Sequence, residues 1–172
     1  MSNTKRLTMS AMMVAIGLVL PPLARMIPNG GPLFCAMHIC PLLAGLIIGP
    51  IEGIFVGILC PILNSMMFGL PQGSTLIGMC FELPTYGLVA GLLMNILKNK
   101  NKAGVYASLI GAMLAGRIVG GFVQAVLLGF GNYSIQLWIA SYFVGSAPAL
   151  AIHIVLLPLV YFALKRAGLV QR

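Results

Sequence analysis

The 172-residue chain contains no aspartate and only two acids, Glu52 and Glu82, and charged residues of either sign make up 7% of it. A soluble domain carries about a quarter charged residues, so this composition excludes one and leaves an integral membrane protein. Without aspartate, no aspartyl pair can hold Mg²⁺ for phosphoryl transfer. No P-loop is present to cradle ATP phosphates, because the glycine-rich GPIEG turn at 49–53 lacks the required Lys and Ser or Thr. The four cysteines, Cys35, Cys40, Cys60 and Cys80, lie in or beside apolar runs, where free cysteine behaves as a small hydrophobe. They do not suggest a disulfide framework. Cys35, His38 and Cys40 match no familiar zinc spacing, and neither a metal nor a cofactor is expected.

Hydrophobic residues make up 60% of the chain. With ~20 helical residues per crossing of a ~30 Å hydrocarbon core, the length allows about six crossings and no separate soluble domain. The net charge of +8 flanks the apolar runs and is not interleaved with aromatics, so it reads as a topology signal and not as a nucleic-acid surface. Lys5 and Arg6 precede an apolar run as in a signal peptide, but no small-residue cleavage site follows and Pro21 and Pro22 interrupt the end. A retained first helix is expected over 7–26, followed by an outer loop at 27–34. The long apolar stretch 37–70 is divided by Gly49, Pro50 and Gly53 into a short second span, 37–48, and a third, 51–69. Spans at 75–97, 104–130 and 136–164 complete the set. Lys5 and Arg6, then Lys98, Lys100 and Lys102, then Lys165, Arg166 and Arg172 all belong inside by the positive-inside rule. Termini on one side require an even number of crossings. The expected architecture is an all-α integral membrane protein, one domain over 1–172, with six transmembrane helices and both termini cytoplasmic.

Glu82 and Arg117 interrupt this pattern, since each sits deep in an apolar span. An ionisable group in hydrocarbon costs a few kcal/mol or more and needs a partner, water or a ligand. Counted at ~5.4 Å per turn, Glu82 lies about two turns below the outer face and Arg117 three to four, so the two can share a cavity open to the outside. Tyr86 follows Glu82 by four residues on the same helix face, and Gln124 shares a face with Arg117 across Gly120 and Gly121. Trp138, Tyr142, Ser146 and His153 form a stripe on the sixth span. One reading has Glu82 and Arg117 simply neutralising each other, with Trp138 and Tyr142 as interface aromatics and His153 internally hydrogen-bonded. A purely structural ion pair gains little over apolar packing, so the second reading, a site for a small polar organic ligand, is the stronger for the charged pair. Arg117 would grip a carboxylate and Glu82 would accept from hydroxyl or N–H groups. Small residues recur four apart, at Gly45 and Gly49, Gly53 and Gly57, Gly87 and Gly91, Gly116 and Gly120. Such pairs let membrane helices pack closely. Ala11 and Ala15 repeat the device on the first helix, where they offer a face to another membrane protein.

Three stretches, HICPLLAGLIIGPIEGIFVGILCPILNSMMFGLP (38–71), FELPTYGLVAGLL (81–93) and AMLAGRIVGG (112–121), together resemble the substrate-binding S components of energy-coupling factor (ECF) vitamin transporters. The resemblance implies a subunit of the bacterial plasma membrane, not an enzyme, that captures a vitamin from outside with high affinity. It also implies association with a transmembrane coupling protein and two cytoplasmic ATPases, and toppling in the membrane to deliver the ligand. Ala11 and Ala15 then correspond to the AxxxA face that docks the coupling protein. Family sites map onto Arg25, Asn29, Glu82, Tyr86, Arg117, Gln124 and Tyr142. Two arginines against one glutamate favour a small monoanion over a cation such as thiamine; pantothenate ranks first, followed by pyridoxine or niacin, riboflavin and folate. The alternatives are a self-sufficient facilitator or channel and, further off, an intramembrane enzyme using Ser65 or a cysteine with His38 or His153.

Overall fold

A computed structural model of the chain describes residues 2–97, 102–129 and 133–170, and among these residues it is helical with no strand. The helices are α1 (Asn3–Arg25), α2 (Gly30–Phe34), α3 (Ala36–Ile47), α4 (Pro50–Phe68), α5 (Gly73–Ile96), α6 (Lys102–Leu128), α7 (Ile135–Ile139) and α8 (Ala147–Arg166), with a π-helical turn at Ala140–Val144. Five of them, α1, α4, α5, α6 and α8, are long and apolar enough to cross a membrane. The Ser2 hydroxyl opens α1 by accepting from the Lys5 amide at 3.3 Å, and Pro50 opens α4 at a position where its missing N–H costs nothing.

The stretch expected as a second span, 37–48, is α3, 12 residues long and therefore ~18 Å in length, well under the hydrocarbon thickness and outside the five long apolar helices. Its surroundings explain how so short a helix is accommodated. Every residue of α3 except Ile39 is buried, because α1, α4, α5, α6 and α8 all pack against it. A helix that is apolar all round belongs in an interior, and one shielded from lipid does not have to match the bilayer.

Two expectations need correction. The stretch 27–34 is not a plain loop, since it holds α2, bounded by Asn29 and Cys35 in left-handed conformations with φ of 56° and 39°. The sixth span is not one helix over 136–164 either. It breaks into α7, the π turn, a bend at Gly145 and Ser146, and α8. Gly145 and Pro148 account for the break, because Pro148 stands in the first turn of α8 and has no N–H to give to the carbonyl four residues back. Trp138, Tyr142, Ser146 and His153 consequently stand on different elements and not along one straight stripe.

Packing of α5 against its neighbours follows the small-residue spacing. A Cβ on Gly53 of α4 would lie 2.6 Å from the Gly87 Cα of α5, so the two backbones touch with no side chain between them. Asn64 adds a polar tie: fully buried on α4, its Nδ2 donates to the Gly17 carbonyl of α1 at 2.9 Å and to the Cys60 carbonyl at 3.0 Å. Gly87→Leu is therefore expected to abolish recovery of a monodisperse protein in size-exclusion chromatography. Gly111→Ala, where the added methyl meets only the movable Leu93 Cδ1, should be tolerated. Equal behaviour of the two variants would contradict the backbone contact.

Candidate functional site

A cavity of about 290 Å³ lies at one end of the bundle, lined from α5 by Thr75, Met79 and Glu82, from α6 by Arg117 and Gln124, and from the stretch between α7 and α8 by Ser141, Tyr142 and Ser146. Cys35, His38 and Tyr133 complete the wall. Glu82 is 5% exposed and Arg117 4%. These two charges have separate partners and form no ion pair with each other.

Glu82 is held from two directions. Tyr86, one turn deeper on α5, donates its hydroxyl to Glu82 Oε1 at 2.5 Å. His38 of α3 places Nε2 3.5 Å from the same oxygen and turns Nδ1 to the Cys35 carbonyl at 3.2 Å. Both ring nitrogens thus face acceptors; a neutral imidazole has one N–H to give and an imidazolium two. The His38 ring also lies beside that of Tyr86, with centroids 5.3 Å apart. Glycines on α6 make room for this group. A methyl at Gly120 would come 2.9 Å from Glu82 Oε2, and one at Gly116 would collide with the Tyr86 ring. The Gly116 and Gly120 pair therefore admits the acidic side of the site between α5 and α6.

The direct partners of Arg117 are neutral. Its Nη1 donates to Ser146 Oγ at 2.9 Å, and that hydroxyl donates in turn to the Tyr142 carbonyl at 2.6 Å. The guanidinium lies 5.4 Å from the centroid of the Phe143 ring, a cation–π distance. Its buried Nε has no hydrogen-bond partner among the described residues. Trp138 Nε1 donates to the Arg117 carbonyl at 3.2 Å, which ties α7 to α6. Gln124 Nε2 donates to the Ser74 carbonyl at 3.1 Å and so joins α6 to the start of α5. At the cavity rim, burial and then the Glu82 charge push the Tyr133 hydroxyl above the usual phenol range. It remains a neutral O–H, buried and without a partner among the described residues.

Of the residues singled out in the sequence, Glu82, Arg117, Gln124 and Tyr142 line this cavity and Tyr86 stands directly behind Glu82. Arg25 lines an adjoining cavity of about 240 Å³ that shares Cys35, His38 and Met79 with the first. It donates from Nη2 to the Leu70 carbonyl at 3.3 Å. Asn29 is exposed and lines neither cavity. His153 is not among the residues that line this cavity; its Nε2 meets the Phe34 carbonyl at 3.0 Å. The sequence did not reveal His38 as a partner for Glu82, nor Cys35, Thr75, Met79, Tyr133 and Ser141 as lining residues, and it placed Ser146 only in a stripe with Tyr142. The one legible signal was His38 itself, a histidine within an otherwise apolar run.

A comparison with protein families matches residues 5–170 to the ECF transporter, substrate-specific component. The chain belongs to this family. No curated protein and no solved structure matches the chain. As an S component it is a substrate-specific subunit of a membrane importer, in a family of transporter subunits and not of enzymes, and its long apolar helices are those of a multi-pass membrane protein.

A second feature lies on the outside of this S component. Ala11 and Ala15 are exposed on α1 and line an apolar groove of about 770 Å³ between α1 and α4, together with Leu7, Val14, Phe55 and Leu59. Arg6 and Glu52 close one end through a 2.6 Å ion pair, which places the chain's other acid outside the ligand cavity.

Tyr86 and Glu82 should behave as one unit in a double-mutant cycle. Tyr86→Phe withdraws a donor from a buried carboxylate and is expected to cost about 1–2 kcal/mol. Glu82→Gln combined with it should cost less than the sum of the two single changes, read from unfolding in detergent. Strict additivity would show that the short hydrogen bond carries no coupling.

Proposed function

We propose that this S component captures a small anionic vitamin from the outer face of the bacterial plasma membrane, with Arg117 binding the ligand carboxylate. The observation that carries this reading is the buried guanidinium of Arg117, whose charged neighbour in the cavity, Glu82, is already engaged by Tyr86 and His38. A carboxylate from the ligand would supply the direct ion pair that Arg117 lacks and an acceptor for Nε. Glu82, Gln124, Tyr133 and Tyr142 line the remainder of the wall and suit hydroxyl and amide groups on the same molecule.

Size and charge narrow the ligand. A cavity of about 290 Å³ falls at the small end of the ~300–1,000 Å³ range of ligand sites, which favours pantothenate, and next niacin, over riboflavin or folate; pyridoxine fits by size but has no carboxylate for Arg117. Arg25 in the adjoining cavity adds positive potential near the mouth and disfavours a cation.

Transport in this reading depends on a transmembrane coupling protein and two cytoplasmic ATPases. Six crossings with both termini inside put the ligand cavity at the outer face, and the groove beside Ala11 and Ala15 receives the coupling protein. ATP-driven movement of that complex then topples the S component and turns the cavity inward.

Arg117→Ala should weaken binding of the anionic ligand roughly 30-fold or more, the cost of removing one partner from a buried charge pair, while the protein remains folded. Isothermal titration with the molecule that co-purifies, identified by mass spectrometry, provides the measurement, and unchanged affinity would sink the role given to Arg117. Ala11→Leu with Ala15→Leu should leave that affinity intact in the purified subunit. The same pair of changes should abolish co-purification of the ATPases and uptake into cells. Uptake that survives without the ATPases would instead identify a facilitator.

A further inference from the structure

Far from the ligand cavity, the start of α6 and the end of α8 enclose a groove of about 690 Å³. Its walls are apolar and aromatic, including Tyr106, Val155, Leu159 and Phe162, and three cations, Lys102, Lys165 and Arg166, stand on it. Val155 is 68% exposed and Leu159 65%. Neither acidic side chain of the chain is among the described residues that line the groove: Glu82 is in the cavity beside Arg117 and Glu52 pairs with Arg6. The three cations are confined to one end, because Lys102 begins α6 and Lys165 and Arg166 lie in the last turn of α8. An apolar trough capped at one end by positive charge has the polarity of a phospholipid, acyl chain below and anionic headgroup above.

We infer that this groove binds an anionic phospholipid of the cytoplasmic leaflet, with its phosphate on Lys102, Lys165 and Arg166 and an acyl chain against Val155 and Leu159. The inference rests on this end of the bundle facing the cytoplasm and is independent of which vitamin occupies the cavity. Charge complementarity selects the occupant. A transmembrane helix of a partner protein would fill the trough but offers no phosphate to the cations, whereas basic residues at the cytoplasmic boundary attract acidic headgroups. Arginine and lysine together suit a phosphate, one by a planar fork and the other as a point charge.

Native mass spectrometry of the full chain in detergent, titrated with phosphatidylglycerol or with phosphatidylcholine of identical acyl chains, tests this. Phosphatidylglycerol should be retained about tenfold or more over phosphatidylcholine. The triple variant Lys102→Gln, Lys165→Gln, Arg166→Gln should weaken its binding on the order of a hundredfold, about fivefold for each cation removed. Leu159→Trp, which fills the trough and keeps every charge, should also reduce retention about tenfold, whereas a role confined to setting topology would leave it unchanged. Equal retention of the two lipids by the wild type overturns the inference. So does undiminished phosphatidylglycerol binding by either variant with wild-type helical content. Crosslinking of position 159 to a coupling protein instead of lipid, in the assembled complex, also overturns it.

Discussion

The rest of the molecule depends on how closely α5 approaches its neighbours. Lipid tails are as apolar as leucine, so burial from water does not drive membrane helices together and contact geometry must do so. Here α4 meets α5 with the bare backbones of Gly53 and Gly87 in contact, and α3 is enclosed between α5 and the other long helices. On its opposite side α5 meets α6 across Gly116 and Gly120, where the Tyr86 ring and Glu82 carboxylate fill the space that missing side chains leave. One helix thus combines tight packing on one face with an inserted polar pair on the other. The depth and direction of Glu82 follow from that packing.

Scarcity of acids then shapes the electrostatics. With two carboxylates in 172 residues, each can satisfy only its immediate surroundings, and Glu52 is used at the α1–α4 groove by Arg6. Glu82 takes its bonds from a phenol and an imidazole, which leaves Arg117 to a serine hydroxyl and the face of Phe143. A buried cation with only neutral partners holds part of its desolvation cost uncompensated. In the proposed reading an anionic ligand would relieve that cost, whereas a direct Glu82–Arg117 ion pair would already have removed much of it.

Much of this was legible in the sequence, for identifiable reasons. Span positions come from hydropathy and were off by only a few residues for α1, α4, α5 and α6. Glu82 and Arg117 stood out because charge is so expensive in hydrocarbon, and Tyr86 followed from the four-residue period of a helix. What could not be read was contact between helices remote in sequence. His38 reaches Glu82 only because α3 is packed between α1 and α5, and Ser146 reaches Arg117 only because the chain bends there. Hydropathy is blind to such bends: IQLWIASYFVGSAPALAIH holds no Asp, Glu, Lys or Arg, and only Gly145 and Pro148 betray that it is not one helix. α2 was missed because turn-forming residues such as Asn29 and Gly30 also cap short helices.

The irregular backbone has a physical logic of its own. In a membrane, carbonyls and amides freed from a helix cannot turn to lipid, so non-helical stretches persist only where protein or a water-filled cavity covers them. The π turn at Ala140–Val144 and the bend after it supply Ser141, Tyr142 and Ser146 to the cavity wall. The left-handed Cys35, uncommon for a residue with a Cβ, lines the same cavity and presents its carbonyl to His38. Both irregularities therefore border one space. A regular helix over 141–146 would keep Tyr142 and Ser146 on one face but turn Ser141 about 100° around the axis from Tyr142. Departures from helix at 35 and 140–146 are what turn a bundle of apolar spans into a container with polar walls.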